Sequence, residues 1–213
     1  RRAGTVVGAL TDQGQLLARH TVIAAGPWSW RVARDTGYDV PVRGVRGVVA
    51  VTRPAPFRLR HLIEDAAWDV SSLPPVTVGA LADGHAPDGT FSAGLGQDDD
   101  GRIVIGASHS RALGDLDETA ESLAAVCRRA IRFVPALAGL EIAETRACQR
   151  PMTDDGLPLH GPVPGTEGLY LCCGHNAQGI TWGPGATAVV AESLVSGEWD
   201  PALLPERFAA VAP

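Results

Sequence analysis

The stretch Thr21-Val22-Ile23-Ala24-Ala25-Gly26-Pro27, continued by Trp28 to Thr36 and Gly37, constrains this chain more than any other. Thr21 to Ala25 is an apolar, β-prone run of strand length, and Gly26-Pro27 ends it. Trp28 to Thr36 then reads as a short helix closed by Gly37, because glycine takes the left-handed conformation at a helix C-terminus at no steric cost. A buried strand, a glycine turn and a helix, in that order, have the shape of a nucleotide-site crossover.

The rest of the chain divides around that unit. Val6 to Leu10 and Leu16 to Ala25, joined by Thr11 to Gln15, predict a hairpin whose second arm runs on into the buried strand. From Pro41 the texture changes: Val45 to Thr52 predicts a strand, Pro54 to Pro56 a break, and Arg102 to Gly106 another strand. Residues 71–101 are rich in Gly, Pro and Asp. Asp115 to Val134 predicts the strongest helix, with Leu116, Ala120, Leu123, Ala124, Cys127, Ile131 and Val134 on one face. Asp115, Asp117 and Glu118 in its first turn, and Arg128, Arg129 and Arg132 in its last, match the helix dipole, and Pro135 stops it. Leu169 to Cys173 predicts a short buried strand, Gly174 to Gly179 a loop, and Pro184 to Ser196 a helix ended by Gly197. The expected layout is one domain built from residues 1–42 and 145–213, with a largely antiparallel domain inserted over residues 43–144.

Composition narrows the function classes. With 45% hydrophobic and 20% charged residues, the 213-residue chain has a globular balance. Its net charge of −6, with basic residues scattered as singles and pairs, leaves no stripe to neutralise a phosphate backbone, so no nucleic-acid partner is expected. No apolar run approaches the about 20 residues that span a bilayer. Cys127, Cys148, Cys172 and Cys173 form no CxxC pair and no Cys/His set at zinc-ligand spacing, so no metal is expected, and reduced thiols in a cytoplasm fit best. The chain opens Arg1-Arg2-Ala3-Gly4 with neither an initiator Met nor an apolar leader, and residues upstream are expected to be missing.

Three segments stand out in order: Val22 to Ser29; Arg150-Pro151-Met152-Thr153-Asp154-Asp155-Gly156-Leu157-Pro158; and Gly168 to His175 continuing through Gly179-Ile180-Thr181 to Pro184. Together they resemble the D-amino-acid oxidase family of flavoenzymes, which includes glycine oxidase and sarcosine oxidase. The resemblance covers nearly the whole chain except residues 70–95. It implies an α/β plus α+β fold: the second half of a Rossmann-like FAD-binding domain with an inserted, mainly antiparallel substrate domain. It also implies FAD as cofactor and oxidation of the C–N bond of a small-molecule amine or amino acid by hydride transfer to flavin. The chain departs from the family in having no G-x-G-x-x-G turn; Gly44-Val45-Arg46-Gly47 has neither the spacing nor the following helix. The FAD pyrophosphate site is therefore expected from a missing N-terminal half or a partner chain.

The resemblance assigns site residues. Arg150 matches the arginine that grips a substrate carboxylate, a task suited to a planar, bidentate cation; a surface arginine in a Pro/Asp/Gly-rich turn is the plainer reading. Gly174, His175, Gln178, Gly179, Ile180 and Thr181 match the loop whose backbone N–H groups face the flavin, against an ordinary strand-to-helix turn. Ala25, Gly26 and Trp28 match the other cofactor loop, Gly26 allowing close backbone approach or simply a tight turn. Cys148 stands where sarcosine-oxidase-like members bond the flavin 8α-methyl, while a structural core cysteine is the commoner fate of a lone Cys. Two rival functions stay open: a non-catalytic subunit or remnant of the fold, and a hydrolase using Cys173 and His175.

Overall fold

The computed structural model describes residues 4–65, 91–108, 110–111, 116 and 120–208. They fall into two compact units: Arg1–Gly44 with Arg150–Pro213, and Val45–Gln149.

In the first unit, β1 (Gly8–Thr11) and β2 (Gly14–Leu17) form an antiparallel hairpin. The predicted second arm does not run on: β2 ends at Leu17 and a new strand, β3 (Thr21–Ile23), joins a different sheet. Leu16 and Leu17 are exposed, so that arm buries nothing that would carry it into the core. β10 (Leu159–Pro162) and β11 (Leu169–Cys173) complete a three-stranded sheet in the order β10-β11-β3, with β11 parallel to β3 and antiparallel to β10. Along β11, Leu169, Leu171 and Cys173 are buried while Tyr170 and Cys172 are half-buried, the period-two signature of a strand with one core face. Leu171 and Leu159 are fully buried among Ile23, Val40, Val42 and Val163, each such side chain contributing about 1.5–3 kcal/mol.

The helix predicted from Trp28 forms in three pieces: a 3-10 turn Gly26–Trp28, α1 (Ser29–Ala33) and a second 3-10 turn Arg34–Thr36, stopped at Gly37 with φ +82°. Helix α3 spans Gly179–Ser196 and also ends at a left-handed glycine, Gly197. It begins before Pro184, the residue expected to open it, so Pro184 lies inside the helix. Pro184 has no N–H to give the carbonyl of Ile180, a defect the helix carries between Gly183 and Gly185.

Among the described residues, the second unit holds a six-stranded, largely antiparallel sheet with one helix packed on it. The strands are β4 (Arg43–Thr52), β5 (Ile63–Glu64), β6 (Phe91–Gln97), β7 (Ile103–Ser108), β8 (Ser110–Arg111) and β9 (Ile142–Met152), ordered β5-β6-β7-β4-β8 with β9 also pairing β4. Helix α2 (Ala120–Phe133) packs on β6 and β7. Its most buried line is Ser122, Val126 and Ala130, with Leu123, Cys127, Ile131 and Val134 flanking it. The expected stripe is thus turned: Ala120 and Leu116 are exposed, and the most buried positions fall beside it. Asp115, Asp117 and Glu118, the predicted first-turn acids, lie outside the described residues. Buried Asp65 is paired with Arg129 of α2, which ties the strand region to the helix. Among the described residues, no helix is long and apolar enough to cross a membrane.

Candidate functional site

The parallel pair β3–β11 sets the geometry. Its last matched positions are Ile23 and Leu171. At the same distance beyond each stand Gly26 and Gly174, both with positive φ, +52° and +73°. Each leads into a 3-10 turn, Gly26–Trp28 or Asn176–Gln178, and then a helix, α1 or α3. Two equivalent glycine turns therefore open side by side at the carboxyl ends of neighbouring parallel strands. In open α/β sheets this is where ligands bind, because the first N–H groups of the following helices point outward there. None of the N-cap residues Ala25, His175 and Gln178 makes a side-chain cap bond, although Pro27 has no N–H and the amides of Trp28 and Gln178 bond Ala25 O at 3.0 Å and His175 O at 2.9 Å. A Cβ added to Gly26 would meet nothing within 4 Å, whereas one on Gly174 would lie 2.7 Å from Thr153 Cγ2. The first turn is open; the second is packed from below.

The packing under Gly174 comes from the segment that follows Arg150. Asn176, itself in the left-handed conformation at φ +53°, clamps it. Its Oδ1 accepts from the Thr153 amide at 3.1 Å, and its Nδ2 donates to the carbonyls of Gly156 at 2.7 Å and Gly174 at 3.1 Å. The Thr153 hydroxyl donates to Leu157 O at 2.8 Å and closes the turn. From the other side, Arg207 donates to both oxygens of Asp155, at 2.6 and 3.2 Å, and to Leu157 O at 2.8 Å. Burial works against the Asp155 carboxylate, but bonds from Arg207 and the Leu157 amide outweigh it and lower its pKa. On the β3 side, buried Ser29 donates to Gly26 O at 2.8 Å and fixes that turn.

A second cluster lies on the sheet beside these turns. His160 of β10 is the register partner of Cys172 in β11, and its Nε2 is 3.0 Å from Nε2 of His175. Both histidines are buried. Burial, His175 and Arg207 push His160 down to about 4, and burial lowers His175, so both rings are neutral at pH 7. Cys173 is buried in the core and burial pushes its thiol up to about 12. With His175 facing His160 and the thiol held protonated, the Cys173–His175 hydrolase pair considered from the sequence has no nucleophile to offer.

The residues singled out in the sequence are thus placed as follows. Ala25, Gly26 and Trp28 form the β3 turn, with Trp28 half exposed. Gly174, His175, Gln178, Gly179, Ile180 and Thr181 form the β11 turn and the first turn of α3, where Gly179, Ile180 and Thr181 are exposed. Arg150 is half-buried in β9 and begins the segment that Asn176 clamps. Cys148 is an exposed free thiol in the second unit. The sequence reading passed over three residues: Asn176, Ser29 and His160. Asn176 carried a signal, since asparagine two positions after a strand-ending glycine is the commonest non-glycine residue to take φ > 0. His160 carried none.

Comparison with known proteins gives one consistent answer. The family model described as DAO, FAD dependent oxidoreductase, matches residues 1–193. Glycine oxidase of Pseudomonas putida is 29% identical over 195 residues, covering 92% of this chain and 47% of that protein. Among solved structures, glycine oxidase from Bacillus cereus superposes with a TM-score of 0.73 at 25% identity, over 96% of this chain and 49% of that one. L-proline dehydrogenase from P. horikoshii gives a TM-score of 0.78 at 22% identity, over 98% of this chain and 52% of that one, a likeness of fold. The chain spans about half the length of the relatives it matches.

Proposed function

Because the chain belongs to the DAO family of FAD dependent oxidoreductases, we propose that the complete protein oxidises the carbon–nitrogen bond of an amino acid or amine. The observation that carries this reading is the pair of matched glycine turns at the ends of β3 and β11, whose helix-start N–H groups lack side-chain caps. Such a donor set fits a long, partly anionic cofactor. FAD, when bound, would accept the hydride that leaves the substrate carbon.

The chain's own residues hold and tune. Backbone N–H groups of the turn from Gly174 to Thr181, apart from that of Gln178, which bonds His175 O at 2.9 Å, stabilise negative charge on the cofactor at the start of α3. Ala25, Gly26 and Trp28 supply the facing turn, Gly26 leaving open space where a side chain would intrude. Arg150 binds the substrate carboxylate and Cys148 is the candidate for covalent flavin attachment. The unit Arg1–Gly44 with Arg150–Pro213 takes the role of the FAD-domain portion, and Val45–Gln149 that of the substrate domain. The pyrophosphate turn comes from residues outside this chain or from a second polypeptide. No side-chain base is needed for a substrate that arrives as the neutral amine.

The test uses the complete, flavin-loaded enzyme. kcat/KM is measured for an amino acid and its decarboxylated analogue, in wild type, Arg150→Lys and Arg150→Ala. Losing a bidentate charged contact in a shielded site costs about 2–5 kcal/mol, or tens-fold to thousands-fold in kcat/KM. The loss is expected for the acid and not for the amine. Equal losses for both would assign Arg150 to the fold or the flavin, and no loss for either would remove it from the site.

A further inference from the structure

We propose that His160, Cys172 and His175 form a binding site for a divalent, borderline-soft cation of the Zn²⁺ type. Their ligand atoms, two imidazole nitrogens and one thiol sulfur, all lie within 4.8 Å of one another. Rigid elements hold two of them: His160 and Cys172 are partners across the β10–β11 ladder, and the His160 amide is bonded to Leu203 O at 2.9 Å. His175 reaches the same point from the turn that ends β11.

The two rings present Nε2 to Nε2 at 3.0 Å. A hydrogen bond between them uses one N–H and one lone pair and gives the adjacent thiol no part. Nδ1 of His160 is buried with no hydrogen-bond partner among the described residues, so no side chain or carbonyl there fixes which nitrogen carries its proton. Tetrahedral zinc with bonds of about 2.0 Å to nitrogen and about 2.3 Å to sulfur separates its ligand atoms by about 3.3 Å and 3.5 Å. The nitrogens already stand near that spacing, and the sulfur of half-buried Cys172 lies within 4.8 Å of a ring nitrogen of each histidine. One thiolate and two neutral imidazoles select zinc-like ions over Mg²⁺ or Ca²⁺. Three protein ligands leave a fourth position for water.

Binding is balanced in protons. Cys172 Sγ–H gives its proton to solvent, and the ring carrying the shared Nε2–H takes its proton up on Nδ1, so one proton leaves per metal bound. The bound cation would pin the His175 ring, and with it the turn Gly174–Gly179, to β10.

The full chain, stripped with a chelator, is titrated with Co²⁺ as a coloured stand-in and then with Zn²⁺ as competitor. Expected are one equivalent of Co²⁺, a thiolate-to-cobalt charge-transfer band, and loss of that band when Zn²⁺ is added. Cys172→Ser should remove the band and weaken binding by more than about 100-fold, the upper end of what losing an outer-shell partner costs; Cys148→Ser should change neither. A measurement on the wild type guards against a variant that does not fold: Zn²⁺ should slow alkylation of Cys172 and leave that of exposed Cys148 unchanged. Absence of the band, its survival in Cys172→Ser, or equal alkylation of Cys172 with and without Zn²⁺ would each overturn the site.

Discussion

Asn176→Ala should destabilise the first unit far more than a half-buried loop asparagine ordinarily would. The substitution removes three hydrogen bonds at once. Thr153 is 1% exposed, so its amide is left buried without a partner, which costs about 1–3 kcal/mol. The two carbonyl bonds contribute about 0.5–1.5 kcal/mol each. Alanine must also take φ +53°, where only glycine and asparagine-like residues sit at small cost; this adds about 1 kcal/mol. These terms share one loop and do not add fully, so about 2–4 kcal/mol is expected. Asn176→Gly loses the same bonds without the backbone cost and should fall between wild type and alanine. Denaturant unfolding of the chain gives the total, and hydrogen exchange at the Thr153 amide gives the local part, expected to speed up tens-fold to hundreds-fold. An alanine variant within about 0.5 kcal/mol of wild type, with Thr153 exchange unchanged, would show that the clamp does not organise this turn.

Two further outcomes follow from the same unit and from β9. The Asp155 carboxyl is lowered in the folded state, so its contribution is complete above the unfolded value of about 4 and is lost as pH falls through the lower folded one. Stability measured between about pH 5 and pH 2 should therefore fall less steeply in Asp155→Asn than in wild type, and identical slopes would refute the coupling to Arg207. If Cys148 carries flavin in the complete enzyme, acid precipitation leaves the yellow colour in the pellet and Cys148→Ser releases it; flavin wholly in the wild-type supernatant would mean the link is absent.

Local signals carried much of the fold. Leu169 to Cys173, bounded by Gly168 and Gly174, is a strand where the pattern put it, whereas the run expected over Thr21 to Ala25 is a strand only over Thr21 to Ile23. Gly37 and Gly197 close their helices with left-handed φ because only the backbone, not the tertiary context, decides that cost. The misreadings share a different cause. Pro184 is a good helix opener in isolation, yet the turn after β11 starts α3 earlier and carries the proline inside. In α2, periodicity identified a helix but chose the wrong centre for its face. Leu123, Cys127 and Ile131 of the expected stripe do pack against the core, but the most buried line runs beside them through Ser122, Val126 and Ala130.

The candidate site divides along the same line. The turns around Gly26 and Gly174 were legible because each is a contiguous motif whose glycine has a local reason. Their equivalence was not, since it depends on β3 and β11 lying parallel in one register. The metal-type cluster shows the limit of spacing arguments most directly. Zinc spacings such as CxxC describe ligands that a tight local turn brings together, and among the three proposed ligands that holds for Cys172 and His175 alone, three residues apart. His160 and Cys172 meet through an antiparallel ladder instead, so their separation in sequence is set by the loop between β10 and β11 and carries no chemical information. His175 joins them only because β11 ends two residues earlier and turns back. A sequence search for such a site would have to begin from strand pairing and register, and only then ask which side chains share a rung.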